Sequence, residues 1–202
     1  MVQAAVDAKV PLFIWAGLPS FKKISNGKYI HVDHFEGKAD VSAFGRSLRS
    51  DSFSFAVVQP SHYNSNILTF AQPAGTAADG KPAYVWSCPT DGVVATFDIA
   101  DYGLWVQAAI EHPELHGDED VAAAVEDLTV KQFAEILTRS ESLAKSELPW
   151  LMTDSNAHVD CYVVDADTFR SYLPPHMAKD ITEMFLAIGD FGCKFSWTPS
   201  SH

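Results

Sequence analysis

The residue types best suited to chemistry in this chain cluster between positions 18 and 66. His34 and Lys38 lie four residues apart, a spacing that brings two helical side chains onto one face. An imidazole exchanges protons near neutral pH, and here it has a cation beside it. The plainer reading of the same spacing is a solvated pair at a helix start. Tyr63 and Asn66 follow Pro60 closely, and their types suit either a ligand pocket or a packed aromatic followed by a turn residue. Other combinations fail on spacing. Ser61 and His62 are adjacent and no strand–elbow motif surrounds them, so they form no nucleophilic triad. Cys88 stands among turn residues with no base nearby in sequence. His31 and His34 are three apart, but no cysteine or second histidine pair completes a metal set. Asp98 and Asp101 read as helix caps rather than catalytic acids, since a carboxylate there accepts free first-turn N–H groups and meets the positive end of the helix dipole.

Composition narrows the function classes. The chain has 14 basic and 26 acidic residues, a net charge of −12. A surface that negative repels phosphate backbones and anionic lipid heads, so direct nucleic-acid binding is disfavoured. No apolar run is long enough to span a bilayer. Met1 to Val10 contains Asp7 and lacks a long apolar core, unlike a secretory signal. Cys88, Cys161 and Cys193 are odd in number and far apart. They read as reduced thiols of an intracellular protein, nuclear or cytosolic.

These side chains need a scaffold, and the hydrophobic pattern suggests one. Val2 to Ala8 reads as the end of a short amphipathic helix. Val10 to Ala16 is a continuous apolar run closed by Gly17 and Pro19, the pattern of a parallel strand buried on both faces. Ser20 to Tyr29, with Asn26-Gly27, reads as a loop. Val32 to Arg49 reads as a helix whose inner stripe is Val32, Phe35, Ala39, Ala43 and Phe44. Phe53 to Val58 is a second buried strand, stopped at Pro60. A short helix is expected over 64–70, a loop over 73–81, and two short strands, Ala83 to Trp86 and Val93 to Phe97, arranged as a hairpin. A helix capped by Asp98 runs to about His112. Asp120 to Val125 forms one strand. Thr129 and Gln132 make a capping box, with Phe133, Ile136 and Leu137 facing inward. Asp167 to Tyr172 is a helical turn, and a last helix spans Met177 to Ile188 with Gly189 or Gly192 past its end.

Five segments, in order, resemble the NmrA-like family, relatives of the short-chain dehydrogenases and reductases. They are Phe13-Ile14-Trp15-Ala16-Gly17-Leu18-Pro19-Ser20; His34-Phe35-Glu36-Gly37-Lys38; Val57-Val58-Gln59-Pro60-Ser61-His62-Tyr63-Asn64-Ser65-Asn66; Asp98-Ile99-Ala100-Asp101-Tyr102-Gly103; and Phe185 to Gly192. The resemblance implies an α/β fold: a partial Rossmann-like, doubly wound parallel sheet with a smaller mixed α/β C-terminal lobe. It divides the chain into 1–72, the second half of an NAD(P)-binding domain, and 73–202, a substrate or partner lobe integrated with it. It implies NADP as cofactor. By the same resemblance Leu18, Ser20, Lys38, Pro60, Tyr63 and Asn66 line the nicotinamide side of the cleft. Lys38 takes the place of the lysine that binds the nicotinamide ribose and assists proton transfer, and His34 stands where the family's reductases carry a tyrosine.

This sequence departs from the family at two points. Gln59 occupies a position where arginine is usual. The G-x-x-G-x-x-G turn with which the family begins is absent from the sequence. That turn lets backbone amides approach the pyrophosphate at a helix N-terminus, so the expectation is an N-terminally truncated form with weak or no dinucleotide binding. Three functions remain open: a dinucleotide-sensing regulator that binds a protein such as a transcription factor, an NADP-dependent reductase of the isoflavone- or quinone-reductase kind, and a remnant with neither activity. The strand over 10–16 is also expected to lack a partner on one edge. A buried, unpaired backbone group costs about 1–3 kcal/mol, so self-association through that edge is anticipated.

Overall fold

The structure is a computed structural model that describes residues 1–66, 83–86, 91–139 and 160–192. Its first layer is a parallel sheet of β1 (Leu12–Ala16), β2 (Ser54–Pro60) and β6 (Val121–Ala123), in the order β1-β2-β6. The 35-odd residues between β1 and β2 provide the crossover that parallel pairing demands, and they contain α2 (Phe21–Ile24) and α3 (Asp33–Ser47).

Helices cover both faces of this sheet. On one side α1 (Val2–Asp7) and α3 pack on Phe13, Trp15, Phe55 and Val57 through Val2, Val6 and Val41. On the other, α4 (Tyr102–Glu111) packs on Ile14, Val58 and Ala123 through Tyr102, Trp105 and Ala109. Alternation along β1 and β2 sends odd and even positions to opposite faces, which produces this division. A second sheet joins β3 (His62–Tyr63), β5 (Val93–Phe97) and β7 (Glu126–Thr129), with β3 parallel and β7 antiparallel to β5. A third pairs β4 (Ala83–Trp86) with β8 (Asp160–Val163) in parallel. The remaining helices are α5 (Val130–Arg139), α6 (Ala166–Ser171) and α7 (Ala178–Phe191). The largest apolar cluster joins Phe21, Val32 and Phe35 to Val94, Phe133, Phe169, Ile181 and Phe185, so chain-distant segments share one core. The architecture is the expected α/β one, a parallel Rossmann-like layer with mixed strands and helices following it.

The local signals read from sequence appear where chemistry requires them. Asp98 accepts the Ala100 N–H at 2.9 Å. Thr129 and Gln132 bond reciprocally at 2.7 and 3.1 Å, the capping box that opens α5. Gly192 ends α7 at φ 65°, a conformation suited to glycine.

Other expectations are corrected by the fold. The stretch 20–29 holds the short helix α2, because Ser20 caps it by accepting from the Lys23 N–H at 3.1 Å; the turn at Asn26-Gly27 then follows with positive φ at both residues. The strand β1 is half-buried at all five positions rather than buried on both faces. The buried face of α3 is Phe35, Ser42 and Gly45, and Phe44 is 48% exposed. Small residues win that face because α3 lies against the Phe55 ring. The expected hairpin of β4 and β5 does not form, since each strand finds partners distant in sequence. The strand foreseen over 120–125 forms as the shorter β6, and an unforeseen strand, β7, follows it in a different sheet. Ile136 is exposed. The expected helix beyond Asn66, the loop over 73–81, Cys88, the Leu137 side chain and the chain's last ten residues lie outside the described residues.

Candidate functional site

In open α/β sheets, ligands bind beyond the carboxyl ends of the strands. Here the ends of β1 and β2 bring Gly17, Leu18, Gln59, Pro60 and Ser61 together, with α3 laid over one face. Gly17 makes that approach possible. A Cβ at this position would lie 2.5 Å from Val57 Cγ1 and 2.9 Å from Ser42 Oγ, so any larger residue would force those side chains to shift.

Lys38 reaches this end of the sheet. Its Nζ donates to the Ala16 carbonyl at 2.9 Å, the last residue of β1, and lies 5.6 Å from the centre of the Trp15 ring. The Trp15 indole returns the contact by donating to the Lys38 carbonyl at 3.1 Å. Burial pushes the Lys38 ammonium below the usual lysine range, because desolvation penalises the charged form.

His34 shares α3 with Lys38 but serves another partner. Its Nδ1 lies 2.5 Å from Asp180 Oδ1 of α7, and its ring meets Phe35 edge-on. Ser20 is committed as well: besides capping α2, it donates to Glu36 Oε2 at 2.7 Å. Leu18 packs against the large core. Pro60 is the buried last residue of β2. Tyr63 packs edge-on against Phe97, and burial raises its phenol. Nearby, the Tyr102 hydroxyl donates to the Val58 carbonyl at 2.9 Å; burial, with the Tyr63 phenol adding to it, pushes Tyr102 up to about 12. Asn66 is half-buried at the last described residue of its segment. The structure thus gathers Lys38, Leu18, Pro60 and the Gln59–Ser61 segment at one end of the sheet. It turns His34 and the Ser20 hydroxyl toward structural partners.

Two features of this region had little sequence signal. Gln59 Nε2 and Ser61 Oγ are buried, and neither has a hydrogen-bond partner among the described residues. Such groups are costly to leave unpaired, and they stand at the carboxyl end of β2, the end at which open α/β sheets bind ligands. The departure from arginine at 59 was the only hint. His62, between Ser61 and Tyr63, packs edge-on against Phe133, and burial pushes its imidazole down to about 4, so it is neutral at physiological pH. The contacts of Asp180 and Glu183 with residues 30–34 cross about 150 positions and left no local pattern to read.

The electrostatics at this end of the sheet suit a neutral polar group better than a phosphate. Lys38, with the Gln59 amide and the Ser61 hydroxyl, offers the hydrogen-bonding groups that a sugar hydroxyl accepts or returns. A diphosphate needs backbone N–H groups at a helix start. The first turn of α3 carries Asp33 and Glu36, and the turn before α4 carries Asp98 and Asp101. These acidic starts repel phosphate. Among the described residues no glycine-rich strand-to-helix turn offsets them.

Comparisons with known proteins agree with this fold. No curated protein matches the chain. Among solved structures, the negative transcriptional regulator NmrA in complex with NAD aligns with TM-score 0.66 at 16% identity, over 94% of this chain and 55% of that one. The Escherichia coli NADPH-dependent quinone oxidoreductase, complexed with NADPH, aligns with TM-score 0.62 at 17% identity, over 95% of this chain and 59% of that one. The Citrobacter sp. triphenylmethane reductase complexed with NADP(H) aligns with TM-score 0.59 at 18% identity, over 98% of this chain and 61% of that one. Identities this low speak for the fold, and the chain spans 55–61% of the length of these proteins. The family model of the NmrA-like family, whose fold is the one described above, matches residues 1–200, and the chain belongs to that family.

Proposed function

We propose that this protein is a dinucleotide-responsive regulator of the NmrA type, which recognises the nicotinamide–ribose half of NADP weakly and transmits occupancy to a protein partner. The observation that carries the reading is the engagement of His34. A reductase of this superfamily needs a proton donor one helical turn before its lysine. Here that position is a histidine in place of the phenol, and its Nδ1, held 2.5 Å from Asp180, ties α3 to α7 and leaves Nε2 alone of the ring nitrogens for proton exchange. Lys38 is still suited to binding, since its ammonium stands at the end of β1 beside Trp15. Gln59 and Ser61, at the same end of the sheet, supply polar atoms with no partner among the described residues. When bound, the cofactor itself would supply hydride chemistry; the chain's own residues orient its ring and exclude water from it. The acidic helix starts argue for weak retention of the diphosphate.

Regulation then follows from a shift of populations: the dinucleotide favours one arrangement of α3 and the core behind it, and a partner reads that arrangement. A transcription factor or another protein fits the acidic surface better than DNA itself.

Titration with NADPH and NADP, followed by tryptophan fluorescence and heat, tests the proposal. Weak saturable binding with no turnover of quinones or enones is the expected result. Turnover abolished by Lys38→Ala would instead establish a reductase. Absence of any binding would leave a remnant with neither activity.

A further inference from the structure

Helix α7 carries three carboxylates that reach a single short segment, residues 28–34, which leads into α3. Asp190 pairs with the Lys28 ammonium and accepts the Tyr29 hydroxyl at 2.6 Å. Glu183 Oε2 accepts the backbone N–H groups of both Ile30 and His31, at 3.0 and 2.8 Å. Asp180 Oδ1 meets His34 Nδ1 at 2.5 Å. The opposite side of α7, with Ile181, Thr182, Phe185 and Ile188, is buried in the main core beside Phe169. The carboxylates therefore project from a firmly seated helix.

The segment they hold needs such help. The residue at the start of α3 is Val32, which has no side-chain acceptor and makes no capping bond. A helix entry without a cap leaves its first-turn N–H groups without a side-chain acceptor. The N–H groups of Ile30 and His31 bond to the Glu183 carboxylate of a distant helix. Lys38 lies one turn beyond His34 on α3, and its Nζ is bonded to the end of β1.

We infer that α7 positions Lys38: Glu183 and Asp180 fix the entry of α3, and the entry of α3 sets the height at which Lys38 meets β1. Both are positioning residues, since they act on Lys38 through residues 30–34. The geometry also supplies the physical link that the regulator reading requires. A partner or ligand that displaces α7 frees residues 30–34 and lifts Lys38 from the Ala16 carbonyl, and the coupling is reciprocal. This last consequence rests on the proposed function. The positioning role itself does not.

The test is a pH titration of the lysine ¹³Cε resonances in the full chain, with Lys38 identified by its loss in Lys38→Met. Glu183→Ala is expected to return the Lys38 titration upward toward that of exposed lysines. It should also speed amide exchange at Ile30 and His31 by on the order of tenfold or more, while the amides of Val57 and Val58 keep their protection. Glu183→Gln retains an acceptor oxygen and should restore both signals. Should Glu183→Ala not fold, Asp180→Ala, which breaks a partly exposed pair, should move the Lys38 titration the same way. Opened Ile30 and His31 amides with an unchanged Lys38 titration would overturn the inference, whether or not a dinucleotide binds. Failure to bind NADP would count against the regulator and leave this result standing.

Discussion

The strands β1 and β2 run in parallel register from Leu12 opposite Ser54 to Ala16 opposite Val58, and both are built from large apolar residues. Their surroundings differ. Six of the seven residues of β2 are buried, with β1 on one edge and β6 on the other. All five residues of β1 are half-buried, and among the described residues it pairs with β2 alone. Hydrophobicity qualifies a strand for burial, but the number of neighbours decides how much of it is buried. The chemistry-bearing side chains follow the same division. Gln59 and Ser61, at the end of the central strand, are enclosed and unpaired, whereas β1 ends in a carbonyl that Lys38 can reach from α3.

The largest expected effect comes from truncating matching aromatics on the two strands. Phe55 has no exposed surface and Phe13 stacks on it at 5.9 Å. Phe55→Ala should cost about 3–5 kcal/mol in chemical denaturation, because the cavity lies in a closed core. Phe13→Ala should cost about 1–2 kcal/mol, since its site is half-open to solvent. Equal losses would erase the distinction between the strands.

Acid should reveal β3, the half-buried strand that follows β2. The His62 imidazole is neutral in the fold down to about pH 4, while in the unfolded chain it protonates below about 6.5. The unfolded state binds the extra proton between these values, so stability is complete above the upper one. It is lost as pH falls toward the lower one, by up to about 3 kcal/mol. His62→Leu should remove that share of the pH slope, measured by denaturation at successive pH values. An unchanged slope would show that the ring is hydrated.

Two glycines of α3 sharpen the comparison from the helix side. A Cβ at Gly45 would fall 2.1–2.6 Å from atoms of the Phe55 ring, whereas at Gly37 it would meet nothing within 4 Å. Gly45→Ala should lower stability by about 1–3 kcal/mol despite its better helix propensity. Gly37→Ala should raise it by roughly 0.5–1 kcal/mol. A thermal melt of each variant separates the two outcomes.

The smallest effect is expected at the edge of β1 that pairs with no strand among the described residues. The ladder groups of β1 that face away from β2 can pair with another strand, and we expect weak self-association there. Sedimentation velocity over a wide concentration range would show it as a rising average mass, and a constant monomer mass would remove the edge from consideration.

Local signals in the sequence settled much of this molecule. Apolar runs marked β1 and β2, Asp98 and the Thr129–Gln132 pair marked helix starts, and Pro113 marked the end of α4, because each acts through neighbours within a few residues. The family resemblance singled out Lys38 as a cleft residue, and only the fold joined its Nζ to the Ala16 carbonyl at the end of β1. Tertiary structure alone decided that β1 is half-exposed, that small Ser42 and Gly45 rather than Phe44 face the sheet, and that β4 leaves β5 to pair with β8. It alone joined His34 to Asp180 and the Ile30 and His31 amides to Glu183 across some 150 residues. Those outcomes depend on which surfaces meet once the chain has closed, and no periodicity along the backbone encodes them.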